Sequence, residues 1–267
     1  HTRMGEYTYA CSDFKFKKGL VSATKTSGHT LQIADGLWLD KKFKAAMMKS
    51  IAQSELDRKR FVYSDIGFIL LQQVVEAVTG KTLDAYLVSE FYRPMGLEHT
   101  LFQPLNRYKK ADIMPTAAND YLRRQDLCGY VHDEAAAFMG GVSGNAGLFS
   151  TAQELGKIYQ MILNEGELDG KRYLRPETCR IFTTEKSAVS HRGLGYDKPN
   201  LKDPKANACA SSAPASVYGH TGFTGTCAWV DPENDLVYIF LSNRLCPDAW
   251  NGKLNSMKIR QAIQEVI

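Results

Sequence analysis

The chain has 267 residues, of which 44% are hydrophobic and 23% are charged, so it is long enough to bury one substantial core. Its formal net charge is +4, and apart from two short clusters the Lys and Arg residues are scattered, which argues against a nucleic-acid-binding protein. The sequence contains no run of about 18 or more apolar residues, the length that a membrane-spanning helix needs.

The first half of the chain is predicted to begin irregularly and to continue in helices. Residues 1–35 show little periodicity, and we place a domain boundary at residue 30, with an irregular segment over 1–30 and a folded domain over 31–267. Apolar residues at helical spacing then predict helices over 41–52, 67–79 and 83–91. Residues 100–115 carry little periodicity and are expected to run over the surface.

The second half is predicted to combine helices with an antiparallel hairpin. Thr151, followed three residues later by Glu154, has the pattern of a capping box and predicts a helix start. Pro176 predicts another helix start, residues 197–214 a long loop, and residues 254–266 a closing helix. The apolar stretches 227–230 and 236–241 flank a turn and predict two paired strands. These elements favour an α/β fold, a sheet flanked by helices.

The spacing of potential metal ligands along the chain does not predict a metal site. The six cysteines are widely spaced and form no Cys-x-x-Cys or Cys/His cluster, so neither zinc nor a disulfide framework is predicted. His132, Asp133 and Glu134 are adjacent, but neighbours in sequence point in different directions on a helix. Helix capping is the favoured interpretation of these three residues. We expect no metal and no other cofactor.

The stretch His-Thr-Gly-Phe-Thr-Gly-Thr at 220–226 stands where the first predicted strand begins. Glycines beside a strand allow a ligand or another backbone to approach closely, and His and Thr side chains there can hydrogen-bond a carboxylate or an oxyanion. The combination predicts a strand edge that faces a ligand. Taken alone, a histidine at such a place is more often a hydrogen-bonded strand residue.

Two further stretches carry candidate site residues. Tyr-Ser-Asp at 63–65 leads into the second predicted helix, so Ser64 or Asp65 would cap that helix and Tyr63 would present its hydroxyl at the helix entrance. The glycines of 140–147 allow a tight wall of backbone beside a pocket. Asn145 in that wall either lines the cleft or supplies a left-handed backbone conformation.

In their order along the chain, the three stretches resemble motifs of the serine β-lactamase and penicillin-binding-protein superfamily. The likeness is closest to its class C-like serine hydrolase branch, and within it to the β-lactamase-like domains that Bacteroidetes fuse to glycoside hydrolase family 3 enzymes. The resemblance runs from about Leu31 to the C-terminus. It implies α/β (α+β) architecture, with a mainly antiparallel sheet and a helical subdomain, and acyl transfer through a serine ester.

The resemblance also implies roles for individual residues. It places Tyr63 at the proton-shuttling position and the backbone N–H of Phe223 in one half of the oxyanion hole. Asp65 stands where family members commonly carry Asn, and His220 where they usually carry Lys. Because His is less charged than Lys at pH 7, His220 fits an esterase or peptidase better than an avid β-lactamase. The implied catalytic residues are Tyr63, His220 and Phe223, and the implied substrate-binding residues are Asp65, Asn145, Thr221, Gly222 and Thr224.

The superfamily's nucleophile is the serine of a Ser-x-x-Lys at the start of a long buried helix, and no such arrangement is visible. Ser22 and Lys25 have the spacing, but loop-like residues follow them, and only 41 residues separate Ser22 from Tyr63. We predict that Ser22 is an ordinary loop serine and that the chain begins downstream of the true nucleophile. A rearranged nucleophile pair of Ser22 and Lys25 is the alternative.

Two classes of function remain open at this point. The chain is either the C-terminal portion of a β-lactamase-like serine hydrolase for small-molecule, ester or cell-wall peptide substrates, inactive in this form because its nucleophile is absent, or a non-catalytic module. The second would bind a cell-wall peptide or support a covalently linked upstream glycoside hydrolase domain. By resemblance, both belong to the periplasm or cell envelope.

Overall fold

The computed structural model describes residues 11–12, 15–55 and 61–267, which form two compact units. The first unit holds the described residues up to Ser89 together with Leu101–Phe149, and the second holds Glu90–Thr100 together with Ser150–Ile267. All strand pairings in the described ranges are antiparallel, and both units contain helices. The predicted α/β (α+β) fold class is therefore confirmed.

Short strands and helices alternate along the first unit. Its strands are β1 (Cys11–Ser12), β2 (Lys15–Phe16), β3 (Val21–Ser22), β4 (His29–Ala34), β5 (Leu37–Asp40), β6 (Pro115–Ala117) and β7 (Leu127–Cys128). Its helices are α1 (Phe43–Gln53), α2 (Ile66–Thr79), α3 (Leu83–Leu87) and α4 (Glu134–Phe138), with 3-10 turns at Pro104–Asn106 and Lys110–Asp112. Strand β5 lies between β3 and β4, while β1 pairs with β2 and β6 with β7.

The first described residues contain strands where the sequence predicts an irregular segment. Polar Thr30 and Gln32 alternate with apolar Leu31 and Ile33, which is the period of a strand, and β4 forms over this segment. The boundary predicted at residue 30 falls inside β4, so the irregular segment over 1–30 is wrong for its described part. Residues 1–10 and 13–14 of that segment lie outside the described residues.

Helices α1 and α2 form where the apolar spacing predicts helices. Helix α1 buries Phe43, Met47 and Ile51, and the Phe43 ring meets Phe138 of α4 edge to face at 5.4 Å between ring centroids. Helix α2 ends as predicted at Gly80, whose φ of 67° is left-handed. The predicted helix over 83–91 is α-helical only through Leu87, and a π-helical turn over Val88–Tyr92 follows it.

The second unit contains a three-stranded sheet and further helices. Its strands are β8 (Glu167–Leu168), β9 (Lys171–Arg172), β10 (Tyr218–Thr221), β11 (Cys227–Asp231) and β12 (Leu236–Phe240), and its helices are α5 (Ala152–Leu163), α6 (Pro176–Thr184), α7 (Lys253–Ser256) and α8 (Ile259–Gln264). Strand β11 lies between β10 and β12, and β8 pairs with β9. Buried Val217, Trp229 and Tyr238 form the centre of its core.

Most predicted elements of the second unit are present. The hydroxyl of Thr151 caps α5 by accepting from the Glu154 N–H at 3.3 Å, and Pro176 opens α6. The predicted closing helix is divided into α7 and α8 because Lys258 has a left-handed φ of 50°. Among the described residues, the helices all fall short of the length and apolar character required to cross a membrane.

Candidate active site

The His-Thr-Gly-Phe-Thr-Gly-Thr stretch forms the end of β10 and the turn into β11. His220 pairs with Ala228 and Thr221 with Cys227, and the turn is closed by the Gly222 N–H donating to the Thr226 carbonyl at 2.8 Å. A Cβ on Gly222 would lie 2.2 Å from the Thr226 hydroxyl oxygen, so a larger residue here would require that hydroxyl to rotate away. The predicted strand, turn and strand are confirmed here.

An arginine that follows β12 packs on the outside of this turn. Phe223 is 67% exposed, and the Arg244 guanidinium lies 4.3 Å from the centre of its ring. Arg244 also donates its Nε–H to the Phe223 carbonyl at 2.7 Å and its backbone N–H to the Thr224 carbonyl at 2.8 Å. These contacts fix the backbone of the turn around Phe223.

The ring of His220 makes two contacts that define its tautomer. Its Nδ1 lies 2.6 Å from the Thr221 carbonyl, which can only accept a hydrogen bond. Its Nε2 lies 3.0 Å from Nη1 of Arg192, which can only donate. Assigned from these partners, His220 is the neutral imidazole with its proton on Nδ1.

Arg192 belongs to a small charged cluster beside β10. Its Nη2 lies 3.5 Å from Oδ2 of Asp197, and Oδ1 of the same carboxylate lies 2.9 Å from Nε2 of His191. The Asp197 backbone exchanges two hydrogen bonds with Gly219, at 2.7 and 3.1 Å, and so pairs with β10 one residue before His220. The edge of β10 therefore carries the guanidinium of Arg192 next to a neutral His220.

The Tyr-Ser-Asp stretch stands at the start of α2 in the first unit. Tyr63 precedes the helix and is 58% exposed, as expected for a residue at a helix entrance. Asp65 occupies the N-cap position, but its side chain accepts no capping hydrogen bond and its φ and ψ of −75° and −26° are helical. The predicted cap position is therefore confirmed at Asp65, although without a capping hydrogen bond from its side chain.

Asn145 lies in the glycine-rich loop of the first unit, held by side-chain hydrogen bonds. Its Nδ2 donates to Asp133 at 3.0 Å, and its Oδ1 accepts from the Ser143 hydroxyl at 2.7 Å. Asp133 also caps α4 by accepting from the Ala136 N–H at 2.7 Å, which confirms the capping interpretation. The left-handed conformations in this loop belong to Gly140, Gly141 and Gly147, so that interpretation of Asn145 is wrong.

The predicted site residues thus fall into groups. His220, Thr221, Gly222, Phe223 and Thr224 share one strand end and turn in the second unit, whereas Tyr63, Asp65 and Asn145 belong to the first unit. Within the first unit, Gln72 of α2 connects the helix to the glycine-rich loop. Its Oε1 accepts from the Gly144 N–H at 3.1 Å, and its Nε2 donates to the Val142 carbonyl at 3.2 Å.

The Ser-x-x-Lys spacings of this chain do not stand at helix starts. Ser22 lies in β3 opposite Trp38, and not in the predicted loop, while Lys25 places its ammonium 5.5 Å from the Trp38 ring centre. A second pair with this spacing, Ser12 and Lys15, was overlooked in the sequence. Those two residues face each other across the β1–β2 pairing, which is incompatible with one helix.

A cavity of about 260 Å³ lies in the first unit, and Gly140 and Gly141 of the glycine-rich stretch line part of it. Lys25, Trp38, Gln103 and Tyr130 contribute side chains to its wall. Among the described residues, no group of three or more His, Cys, Asp or Glu side chains is arranged to hold a metal ion.

Sequence reasoning missed Arg192, Asp197 and Arg244. Each lies in a segment without regular periodicity, and each reaches the motif through a contact between residues distant in sequence. No local pattern of residues marks such a contact in advance. The pairing of Asp197 with Gly219 brings Arg192 and Asp197 to the motif, and contacts with Phe223 bring Arg244.

The comparison with protein families decides the relationship. The family model described as Beta-lactamase matches residues 23–255, which is most of the chain. The chain belongs to the beta-lactamase family. The resemblance to β-lactamase-like and penicillin-binding-protein-like serine hydrolases is thereby confirmed at the level of the superfamily.

Individual relatives agree with this assignment. A protein of Escherichia coli strain K12, provisionally named D-alanyl-D-alanine carboxypeptidase, is 38% identical over 197 residues, covering 69% of this chain and 45% of the relative. A penicillin-binding-protein homologue from Caulobacter crescentus has a similar fold, with a TM-score of 0.51, 17% identity, and 84% and 62% of the two chains covered. The octameric penicillin-binding-protein homologue from Pyrococcus abyssi has a TM-score of 0.52 and is 16% identical. The match covers 82% of this chain and 48% of the homologue. The chain spans about half the length of the curated relatives it matches.

Proposed function

We propose that this chain of the beta-lactamase family is part of a serine acyl-transfer enzyme for peptides that end in a free carboxylate, as in D-alanyl-D-alanine peptides, and that the chain does not itself supply the serine nucleophile. The observation that carries the proposal is the contact of Arg192 with His220 at the start of the His-Thr-Gly turn. The name of the Escherichia coli relative supports the substrate class. In this proposal β10 binds the peptide with its carboxylate toward Arg192.

The chemistry of the two side chains favours Arg192 as the carboxylate-binding residue. A neutral His220 with Nε2 turned to a guanidinium brings no charge of its own to an anion. Arginine presents five N–H donors in a planar fork that matches a carboxylate. Arg192 keeps 24% of its side-chain surface exposed, so an anion can reach it.

The remaining roles in the proposal rest on the family resemblance of the motifs. Tyr63 shuttles the proton, the backbone N–H of Phe223 donates to the oxyanion, and Thr221, Gly222 and Thr224 contact the substrate along the strand edge. By the same resemblance, Asp65 and Asn145 are proposed substrate contacts. A location in the periplasm or cell envelope follows from a cell-wall peptide substrate.

Replacing Arg192 tests the proposed carboxylate contact. We expect Arg192→Ala to weaken binding of acetyl-D-alanyl-D-alanine by roughly ten- to a hundredfold, because a hydrogen bond to a charged group contributes about 1.5–3 kcal/mol. Binding of the corresponding C-terminal amide should hardly change. Calorimetric titration of both peptides into the whole chain gives the two ratios.

The matched control is Arg180→Ala, which removes an exposed arginine of the same unit that is paired with Glu165 and Glu177. It should leave both affinities at the wild-type value. Equal losses for acid and amide in Arg192→Ala, or no preference for the acid in the wild type, would contradict the proposal.

A second candidate function is favoured by the position of Ser12, Lys15 and Ser22 on strands. In that alternative the chain is a non-catalytic module that binds the same carboxylate-terminated peptide and assists an attached envelope enzyme. The class C-like branch and the fusion to a glycoside hydrolase of family 3 belong to this alternative as proposals. In this alternative too, Arg192 binds the carboxylate of the peptide.

Covalent labelling tests whether this chain supplies a serine nucleophile. We expect the intact mass of the folded chain to stay unchanged after incubation with a penicillin or a fluorophosphonate, since neither Ser22 nor Ser12 begins a helix. A stoichiometric adduct that disappears in Ser22→Ala or in Ser12→Ala would identify that serine as a nucleophile and reject the accessory role.

A further inference from the structure

The carboxylate of Asp197 is held at a fixed place beside the His-Thr-Gly motif. Asp197 is only 5% exposed, and its backbone hydrogen bonds to Gly219 attach it to β10 next to His220. Oδ1 accepts from His191 at 2.9 Å and from the Lys198 backbone N–H at 3.1 Å. Its other oxygen, Oδ2, faces Arg192 at 3.5 Å.

This fixed carboxylate lies within ion-pair distance of the Arg192 guanidinium and can therefore orient that side chain. An arginine side chain has about 2 kcal/mol of rotamer entropy, so a guanidinium without an anchoring partner samples several positions. With Nη2 toward Asp197, the planar fork directs Nη1 to the Nε2 of His220. Asp197 can therefore act on His220 through Arg192.

We infer that Asp197 is a positioning residue, which orients Arg192 so that the guanidinium holds His220 as the neutral imidazole with its proton on Nδ1. The chain of contacts is intramolecular and stands without any ligand. Its importance for substrate rests on the proposed function, since an oriented Arg192 is what would bind the peptide carboxylate. Asp197 would then set the preference for the acid over the amide.

The tautomer of His220 can be measured directly. In long-range ¹H–¹⁵N spectra of the whole chain with ¹⁵N-labelled histidine, His220, assigned by its absence in His220→Gln, should show a protonated Nδ1 and an unprotonated Nε2. Asp197→Asn keeps the backbone pairing and removes the charge. We expect it to lower the ratio of the Nδ1–H to the Nε2–H tautomer by about tenfold, the size of one charge-assisted hydrogen bond.

Two further variants keep the test decisive. Arg192→Lys keeps the positive charge but removes the planar guanidinium. It should lower the ratio of the Nδ1–H to the Nε2–H tautomer of His220 in the same way, even if Asp197→Asn does not fold. Asp203→Asn, an exposed position in the following segment, should change nothing. An unchanged His220 pattern in folded Asp197→Asn and Arg192→Lys, or a wild-type ring with Nε2 protonated, would overturn the inference.

The outcome is independent of peptide binding because no ligand is added. If the tautomer responds as expected but the wild type does not prefer the acid peptide, the proposed function fails and the positioning role stands. If both hold, Asp197→Asn should also lose most of the preference for acid over amide that Arg192→Ala loses. A preference retained in full by Asp197→Asn would show that Asp197 does not act on substrate recognition.

Discussion

Glu154 shows how one buried carboxylate fixes a loop to a helix in the second unit. Its oxygens accept hydrogen bonds from the backbone N–H groups of Glu98 and His99, at 2.8 and 3.0 Å, and from the Thr100 hydroxyl at 2.6 Å. Burial raises the pKa of Glu154, but the hydrogen bonds from Thr100, His99 and Glu98 outweigh it and hold the pKa below its usual value.

Glu154→Gln should destabilise the folded chain by about 2 kcal/mol at pH 7, because the amide replaces one charged acceptor by a donor that faces other donors. The folded-state pKa is below the unfolded value of about 4.3, so the stabilising contribution is present above that value and is lost as the pH falls through the folded pKa. Urea unfolding of both proteins between pH 7 and pH 3 measures the difference.

The matched control is Glu167→Gln, which breaks an exposed ion pair with Arg172 and should cost less than about 1 kcal/mol. A Glu154→Gln difference that stays constant as the pH falls would show that the charge of Glu154 is not responsible for it.

Among the secondary-structure elements, helix α2 and the glycine-rich loop illustrate a close approach of two backbones. A Cβ on Gly144 would lie 2.2 Å from the carbonyl oxygen of Phe68 in α2, and Gln72 fixes the same approach by hydrogen bonds. By contrast, a Cβ on Gly67 in the first turn of the helix would meet nothing within 4 Å. Substitution by alanine at the two glycines should therefore have opposite effects on the stability of the folded chain.

Gly144→Ala should destabilise the chain, at the upper end of the roughly 1–3 kcal/mol that overpacking costs, because the obstructing atom is backbone. Gly67→Ala should stabilise it, by up to about 1 kcal/mol, through better helix propensity. Thermal unfolding of both variants gives the comparison. A tolerated Gly144→Ala would mean that the loop does not approach α2 as closely as described.

Helix starts, helix stops and the hairpin could be predicted from sequence because each depends on neighbouring residues. The glycine stop at Gly80 and the cap at Thr151 are local in this sense. The pairing of β6 with β7 and the division between α7 and α8 could not, because pairing partners about ten residues apart and one left-handed residue, Lys258, determine them. The alternation in β4 was present in the sequence but was passed over.

For the whole molecule, the order of the three motifs was enough to predict the family, and the match over residues 23–255 confirms it. The candidate site could be predicted only in part. The His-Thr-Gly turn depends on its own glycines, whereas Arg192 reaches His220 across 28 residues of sequence through the pairing of Asp197 with Gly219. A pattern search along the chain does not detect such a contact.

The central claim is that a peptide carboxylate binds at the edge of β10 beside Arg192. Backbone amide spectra of the whole ¹⁵N-labelled chain, titrated with acetyl-D-alanyl-D-alanine, test it most directly. We predict that the saturable shifts centre on residues 219–224 and on Arg192, and that the amide peptide causes much smaller ones. Shifts centred instead on the cavity lined by Lys25 and Trp38, or no saturable shifts at all, would contradict the claim.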